Sequence, residues 1–146
     1  MSKKNTYIVA VDGSEFGVRA AQKAVTIAEK TGAKVVLVSV IPWSGFTPLT
    51  VEQIASRPLD KSDEENHVKN DVFAPIVAEH EGKGVDIEAV LAWGHAVDEI
   101  HNLVKERKAS MIFMGRRGRS RVADLVLGSV ANAVAHKAGV PICLVP

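Results

Sequence analysis

The stretch that most constrains this chain runs from Met111 to Val130, MIFMGRRGRSRVADLVLGSV. Its first four residues are apolar, which is the length and composition of a buried strand. Gly115 and Gly118 end that run, and a helical pattern follows them. One face of the predicted helix is formed by Val122, Val126 and Val130. A glycine turn between a strand and a helix suits phosphate binding, because the backbone can approach the oxygens and the helix start offers free N–H groups. The stretch therefore predicts an anion-binding turn.

The small residues of this stretch follow a defined spacing. Two residues separate Gly115 from Gly118, and nine separate Gly118 from the pair Gly128-Ser129, whose hydroxyl is a further donor. The pattern matches neither the Walker A motif nor the dinucleotide-binding G-x-G-x-x-G motif. On spacing alone a second interpretation stays open, in which the glycines only permit a tight turn and close packing of helix on sheet.

The charge of the chain is concentrated at the same turn, which contains Arg116, Arg117, Arg119 and Arg121. The sequence has 18 basic and 17 acidic side chains, and without these four arginines the balance is 14 against 17. The basic excess is therefore local, and it fits one small anionic ligand better than a long polyanion. We expect no nucleic-acid partner.

Length and cysteine content narrow the class of protein further. The 146 residues suffice for one domain with a substantial core, and no apolar run is long enough to cross a membrane. The apolar run Tyr7 to Val11 is too short for a signal peptide. Cys143 is the only cysteine, which excludes an internal disulfide and fits a reducing compartment. The expected location is the cytoplasm, and the thiol is expected to be a small buried hydrophobe.

Helical patterns alternate with apolar segments of strand length along the chain. Ser14 is the predicted N-cap of the first helix and Gly32 its predicted end. Ser62 and Glu65 predict a capping box for a second helix, whose hydrogen bonds Pro75 should disrupt. Two further helices precede and follow the fourth strand. The predicted strands are Thr6–Val11, Lys34–Ile41, Val85–Leu91, Met111–Met114 and Ile142–Val145.

This alternation predicts an α/β fold with a parallel sheet, right-handed crossovers and helices on both faces. The segment Val85–Leu91 alternates between apolar and polar residues, which indicates a sheet edge. Ligands of such sheets bind at the carboxyl ends of the strands. Asp12, Val40, Trp93 and Gly115 all stand at predicted carboxyl ends, so one crevice can collect them.

The segment from Pro42 to Lys61 lacks a regular pattern, apart from a short helical candidate after Thr50. Loops of this length in a compact domain are usually functional or mobile. Trp43 and Phe46 in this loop either shield a ligand or pack the loop onto the domain.

The motif Gly115-x2-Gly118-x9-Gly128-Ser129 resembles the ATP-binding signature of the universal stress protein family, in its nucleotide-binding branch. The resemblance extends over nearly the whole chain, including Val11-Asp12 and the closing Val140-Pro141-Ile142. It implies one domain over residues 1–146, with a Rossmann-like open sheet of five parallel strands in the order 3-2-1-4-5. It also implies a cytoplasmic stress-response protein that acts as a nucleotide-dependent switch.

The resemblance further implies a set of ligand contacts. The nucleoside would lie near Asp12, the adenine near the Val40 backbone, and the ribose and phosphates near the glycines. The expected ligand is ATP, with magnesium or manganese as the accompanying metal. The implied residues are Ala10, Val11, Asp12, Val40, Met114, Gly115, Arg117, Gly118, Gly128, Ser129 and Val130. The chain departs from the family pattern at Gly94-His95-Ala96, where members often carry Gly-x-Pro, and in its arginine density.

Several alternatives stay open at this point. Asp12 is either a ligand contact or a turn former. No catalytic residue and no metal site are predicted, because His67, His80, His95, His101 and His136 lack metal-ligand spacing. The family commonly dimerises through its last strand, here Ile142 to Val145, and a further protein partner is open. The rival functions are slow ATP hydrolysis or nucleotidyl transfer on the same fold, and a structural dimer with a vestigial site.

Overall fold

A five-stranded parallel sheet in the order β3-β2-β1-β4-β5 forms the centre of the computed structural model, which describes residues 5–42, 61–118 and 127–146. The predicted order and the parallel pairing are therefore confirmed. The predicted bounds of the second and fifth strands are also correct, because each is a nearly continuous apolar run. The strands are β1 (Thr6–Ala10), β2 (Lys34–Ile41), β3 (Ile87–Trp93), β4 (Met111–Gly115) and β5 (Ile142–Val145).

Helices cover both faces of the sheet, as the alternating pattern predicts. The second helix is composite, with an α-helical part over 61–67, a π-helical part and a final α-helical part. The helices are α1 (Glu15–Thr31), α2 (61–67, Val68–Phe73 and Ala74–Glu79), α3 (Ala96–Arg107) and α4 (Ser129–Lys137).

The side chains of each strand alternate between two cores. In β1, Tyr7 and Val9 belong to the core beneath α1 and α2, whereas Ile8 and Ala10 face the core beneath α3 and α4. The Tyr7 ring packs against the Phe113 ring of β4 with centroids 5.3 Å apart. The carboxyl ends of the three central strands are thereby fixed at one edge of the molecule.

The ends of the first two helices test the capping predictions. The Ser14 hydroxyl accepts a hydrogen bond of 3.3 Å from the Gly17 N–H, and Gly32 ends α1 with a φ of 76°, so both predictions are confirmed. The capping box at Ser62 is wrong, because α2 is already helical at Lys61. The disruption at Pro75 is confirmed: the preceding turn is π-helical, and the Ala74 N–H reaches back to the Lys69 carbonyl.

The edge position of β3 is confirmed, but its bounds and its faces differ from the prediction. The strand begins two residues later, at Ile87, because its pairing with β2 starts at Val35 and continues to Trp93. Ala89 is exposed although the alternation assigned it to the apolar face. An edge strand is open on one side, so alternation alone does not bury its small residues.

In the described part of the segment after the glycine turn, the helix α4 begins at Ser129. Gly128 precedes its first residue, in an extended conformation with φ −65° and ψ 155°. Val130 is 38% exposed, whereas Ala131 and Val134 form the buried face. Glycine is a poor helix former, so a helix that follows Gly128 is the more stable choice. Val122, Val126, Arg119, Arg121 and the predicted features of the 43–60 loop lie outside the described residues.

Candidate functional site

A cavity of about 370 Å³ opens at the carboxyl ends of β1, β2 and β4. Strand ends and the starts of α1, α3 and α4 form its walls. The structure brings all the residues associated with a ligand by resemblance to this one cavity, whereas their role as ligand contacts stays a prediction. They are Ala10, Val11, Asp12, Val40, Met114, Gly115, Arg117, Gly118, Gly128, Ser129 and Val130.

The β1 end of the cavity is a short turn built on Asp12. The Val11 N–H donates to the Val38 carbonyl at 2.9 Å, which holds the chain against β2 up to this point. The Asp12 Oδ1 then accepts a hydrogen bond of 2.9 Å from the Ser14 N–H. Asp12 therefore does form the turn, and it lines the cavity as well, so the two interpretations of this residue are compatible.

The backbone of Arg116 ties the glycine turn after β4 to β5 and to the residue before α4. Its N–H donates to the Val145 carbonyl at 2.8 Å, and its carbonyl accepts a hydrogen bond of 2.8 Å from the Gly128 N–H. The first bond inside α4 runs from the Asn132 N–H to the Gly128 carbonyl. The N–H groups of the first helical turn, at Ser129 to Ala131, have no partner within the helix. These groups, and not the Gly128 N–H, are the backbone donors that α4 offers at this end.

The three glycines of the turn differ in what an added Cβ would meet. A Cβ on Gly115 would overlap the Phe16 Cβ of α1 and would lie 2.8 Å from the Arg117 carbonyl oxygen. A Cβ on Gly118 would lie 2.7 Å from the Asp12 Oδ2. A Cβ on Gly128 would find its first neighbour at 3.4 Å, which is ordinary contact. Gly115 therefore serves the packing of α1, and Gly118 allows Asp12 to approach the turn.

The walls combine an apolar part with a charged part. Aliphatic side chains dominate near β2 and α3, and among the described lining residues only Asp12 and Arg117 are charged. An apolar cleft with a few convergent polar groups is typical of a site for a small organic ligand. The helix start and the glycine turn add donors for an anionic group at the charged end.

Sequence reasoning missed seven residues that line the cavity: Ser14, Gly17, Val38, Pro42, Ala96, Ile100 and Ala131. A signal exists for the first two, because both follow the turn at Asp12. A Cβ on Gly17 would lie 3.3 Å from the Val11 Cα, which is a tight contact. Ile100 gave no signal, since its spacing on α3 indicates a core residue and it is one.

The turn after β3 is closed although it lacks the proline that family members often carry. The Gly94 N–H donates to the Ile41 carbonyl at 3.0 Å, and the Glu99 N–H donates to the His95 carbonyl at 3.0 Å. Ala96 takes the first helical position. This departure in sequence leaves the cavity wall in place.

The histidines do not take part in the cavity. The His95 side chain is 73% exposed, and its Nδ1 lies 3.7 Å from the Asp98 Oδ2. His80 is buried, with its Nδ1 3.1 Å from the Lys83 Nζ. Burial, reinforced by the Lys83 charge, lowers the pKa of His80 below its usual range. Within residues 5–42, 61–118 and 127–146, no three His, Cys, Asp or Glu side chains group as metal ligands.

The structure also bears on membrane-spanning helices and on the burial of Cys143. Among the described residues, no helix is both long and apolar enough to span a membrane. Cys143 packs against the core beneath α1 but is only partly buried, so its predicted burial is confirmed only in part.

This chain is similar in sequence and in fold to known proteins. The family model described as the universal stress protein family matches residues 5–146. Universal stress protein YxiE of Bacillus subtilis is 31% identical over 97% of this chain and 98% of its own length.

Solved structures share the fold over nearly the full length. Universal stress protein UspA from Lactobacillus plantarum superposes with a TM-score of 0.81 at 18% identity, with complete coverage of both chains. A universal stress protein crystallised in complex with cAMP superposes with a TM-score of 0.69 at 28% identity, covering 99% of each chain. A family match over nearly all residues, together with a full-length relative and the same sheet order, means that this chain belongs to the universal stress protein family.

Proposed function

We propose that this protein binds ATP in the cavity at the carboxyl edge of the sheet and acts as a nucleotide-dependent switch in the cytoplasm. The proposal rests on one observation: the same cavity has apolar walls at one end and the glycine turn with the start of α4 at the other. An adenine nucleotide has the same division into a planar apolar base and an anionic tail. The cavity of about 370 Å³ lies within the size range of small-molecule sites.

The residues present fit such a ligand. The aliphatic walls formed by Val38, Val40 and Ile100 suit the base, and the Asp12 carboxylate suits a ribose hydroxyl donor. Gly118 and the N–H groups at the start of α4 suit the phosphates. The cAMP complex of a relative supports an adenine nucleotide as the ligand class.

A divalent cation would depend mainly on the nucleotide itself. Asp12 is the only acidic side chain among the described residues of the cavity wall. Magnesium is commonly held by one or two carboxylates together with phosphate oxygens and water. We therefore expect magnesium or manganese to bind with ATP and not before it.

The direct test is to identify what the purified protein carries and what it can bind. Heat denaturation followed by chromatography and mass spectrometry should release an adenine nucleotide. After removal of that nucleotide, calorimetry should show binding of ATP. If ATP, ADP and AMP at millimolar concentration all fail to bind, the site is vestigial and the protein is a structural member of its family.

We also infer that two copies associate through β5. Among the described residues this strand pairs only with β4, and Leu144 on it is 36% exposed. An unpaired apolar edge favours pairing with a second copy of the same edge. The proposal for the cytoplasm is supported by the single cysteine, which needs no oxidising compartment.

A further inference from the structure

A second and much smaller void lies between α3, α4 and β4. On β4, Met114 lines the cavity and Ile112 lines the void, and on α4 Ala131 and Val134 divide in the same way. The void has a volume of about 10 Å³, against about 370 Å³ for the cavity. Most of its walls are aliphatic, and so small a space holds a water only where that water finds polar partners. The void is therefore a gap in the packing and not a ligand site by itself.

Ile100 of α3 borders both of these spaces. Among the described residues it is the only one that lines the cavity and the void alike. It is 2% exposed and belongs to the core beneath α3 and α4, so its side chain fills the gap between the two spaces. The cavity therefore ends at the Ile100 side chain, which forms a partition between the cavity and the void.

The sizes of the neighbouring side chains on α3 and α4 make this partition the limit of the cavity. Ala96 of α3 and Ala131 of α4 line the cavity, whereas Val104 of α3 and Val134 of α4 line the void. Ile100 follows Ala96 by four residues, which places the two on one side of the helix. Ile100 is the first large side chain on that side, so a ligand group that lies beside Ala96 meets it next.

We propose that Ile100 is a specificity-determining residue, which sets the size of the base that the cavity admits. This proposal rests on the proposed function, in which the aliphatic walls of the cavity take the base. A bulky apolar group on the base would need the space that Ile100 fills. An isoleucine in a helix strongly prefers one rotamer, and close packing leaves it little room to move aside. The cavity therefore accepts adenine and excludes an adenine that carries such a group on the edge facing Ile100.

Ile100→Ala should remove the partition and join the cavity to the void. The probes are ATP and three analogues, which carry a benzyl group on N6 or a phenyl group on C2 or C8 of the adenine. The wild type should bind at least one analogue about ten-fold or more weakly than ATP. For that analogue, Ile100→Ala should reduce the difference to less than about three-fold while ATP affinity stays nearly unchanged. Calorimetry on nucleotide-free protein at fixed ionic strength measures these affinities.

Val104→Ala is the matched control on the same helix. Val104 lines the void and is not among the described residues of the cavity wall. Its substitution enlarges the void through a similar loss of buried side chain and leaves the partition in place, so the preference of the wild type for ATP over each analogue should persist. If Ile100→Ala does not fold, Ile100→Val takes its place, because a side chain shorter by one carbon should weaken the preference in the same direction by a smaller factor.

Every other outcome overturns the assignment of Ile100. A wild type that binds ATP and all three analogues equally well has no limit on base size, and its nucleotide site stands. An unchanged preference in the folded Ile100 variant places the limit elsewhere in the cavity. An equal loss of preference in Val104→Ala would indicate a general loosening of the core, and equal weakening of all four ligands in Ile100→Ala would indicate a structural role. A wild type that binds none of the four ligands refutes the proposed function, and the size limit with it.

Discussion

Gly115 and Gly118 belong to one turn, but different neighbours face the position of their missing side chains. At Gly115 those neighbours are the Cβ and carbonyl carbon of Phe16 and the Arg117 carbonyl oxygen, which cannot move without shifting α1 or the turn. At Gly118 the neighbour is the end of the Asp12 side chain, which can rotate away. We therefore expect the first glycine to matter for stability and the second for ligand binding.

We expect the two positions to respond differently to substitution. Gly115→Ala should lower the free energy of unfolding by about 1–3 kcal/mol, because the added Cβ overpacks a fixed contact. Gly118→Val should leave a folded protein whose ATP affinity falls at least about ten-fold, since Asp12 and the phosphates lose their places. Urea denaturation and calorimetry measure the two quantities.

Gly139→Ala is the control for both variants, because a Cβ at that position has no neighbour within 4 Å. It should change neither stability nor affinity appreciably. Wild-type ATP affinity in Gly118→Val would mean that the glycines serve packing alone.

His80 gives the fold a specific response to acid. Its pKa is lowered by burial and by Lys83, against the opposing charges of Glu79 and Glu29. The unfolded chain therefore binds a proton more readily than the native one. The contribution of neutral His80 to stability is complete above the ordinary value of 6.5 and is lost as the pH falls below it.

The prediction is that His80→Gln flattens the dependence of unfolding free energy on pH between about 7.5 and 5, where one proton accounts for at most about 1.4 kcal/mol per pH unit. Urea denaturation at several pH values gives the slope for each protein. The slope is the quantity to compare, because the substitution itself alters packing. Parallel curves for the two proteins would show that another group dominates the acid response.

The sequence could predict the position of some of these residues but not of others. Asp12 and the glycines could be assigned to the cavity because strand ends and turn residues leave a local pattern. Arg116 and Arg117 are neighbours with the same chemistry, and only the resemblance, not the local pattern, singled out Arg117, which lines the cavity. The burial of His80 depends on tertiary packing that no local pattern records.

At the scale of elements, the central strands were predictable because both of their faces are buried and their apolar runs are nearly continuous. The start of α4 at Ser129 was not, because it depends on a tertiary contact. The Gly128 N–H donates to the Arg116 carbonyl, and Gly128 is extended where the helix begins. The shift in β3 likewise follows from its pairing with β2.

The edge strand β5 is the element on which self-association should depend. Leu144→Lys introduces a charge on the exposed part of this strand, and a charged edge opposes pairing. We expect the variant to sediment as a monomer at concentrations where the wild type is a dimer. Val77→Lys serves as the control, because Val77 is 40% exposed on α2, away from β5. A dimeric Leu144→Lys protein would move the interface elsewhere.

At the scale of the whole molecule, the described part of the cavity can be compared with what an efficient phosphoryl-transfer centre needs. Such a centre needs positioned phosphates, a metal held by protein oxygens and a residue that orients the nucleophile. The glycine turn and α4 suit the first requirement. Asp12 is the only acid among the described residues of the cavity wall, and no histidine is among them. His95, just before α3, has an exposed side chain.

We therefore expect ATP turnover to be slow and the response to ATP to be conformational. Steady-state phosphate release with magnesium or manganese should stay well below about one per second, the lower end of ordinary enzyme rates. Saturating ATP should change the pattern of limited proteolysis, because a ligand stabilises the state that binds it by its difference in affinity. The Gly118→Val variant, tested in parallel, should show the ligand-free pattern at the same ATP concentration. Turnover at one per second or faster would make the protein an enzyme, whereas an unchanged digest at saturation would leave a nucleotide site without a switch.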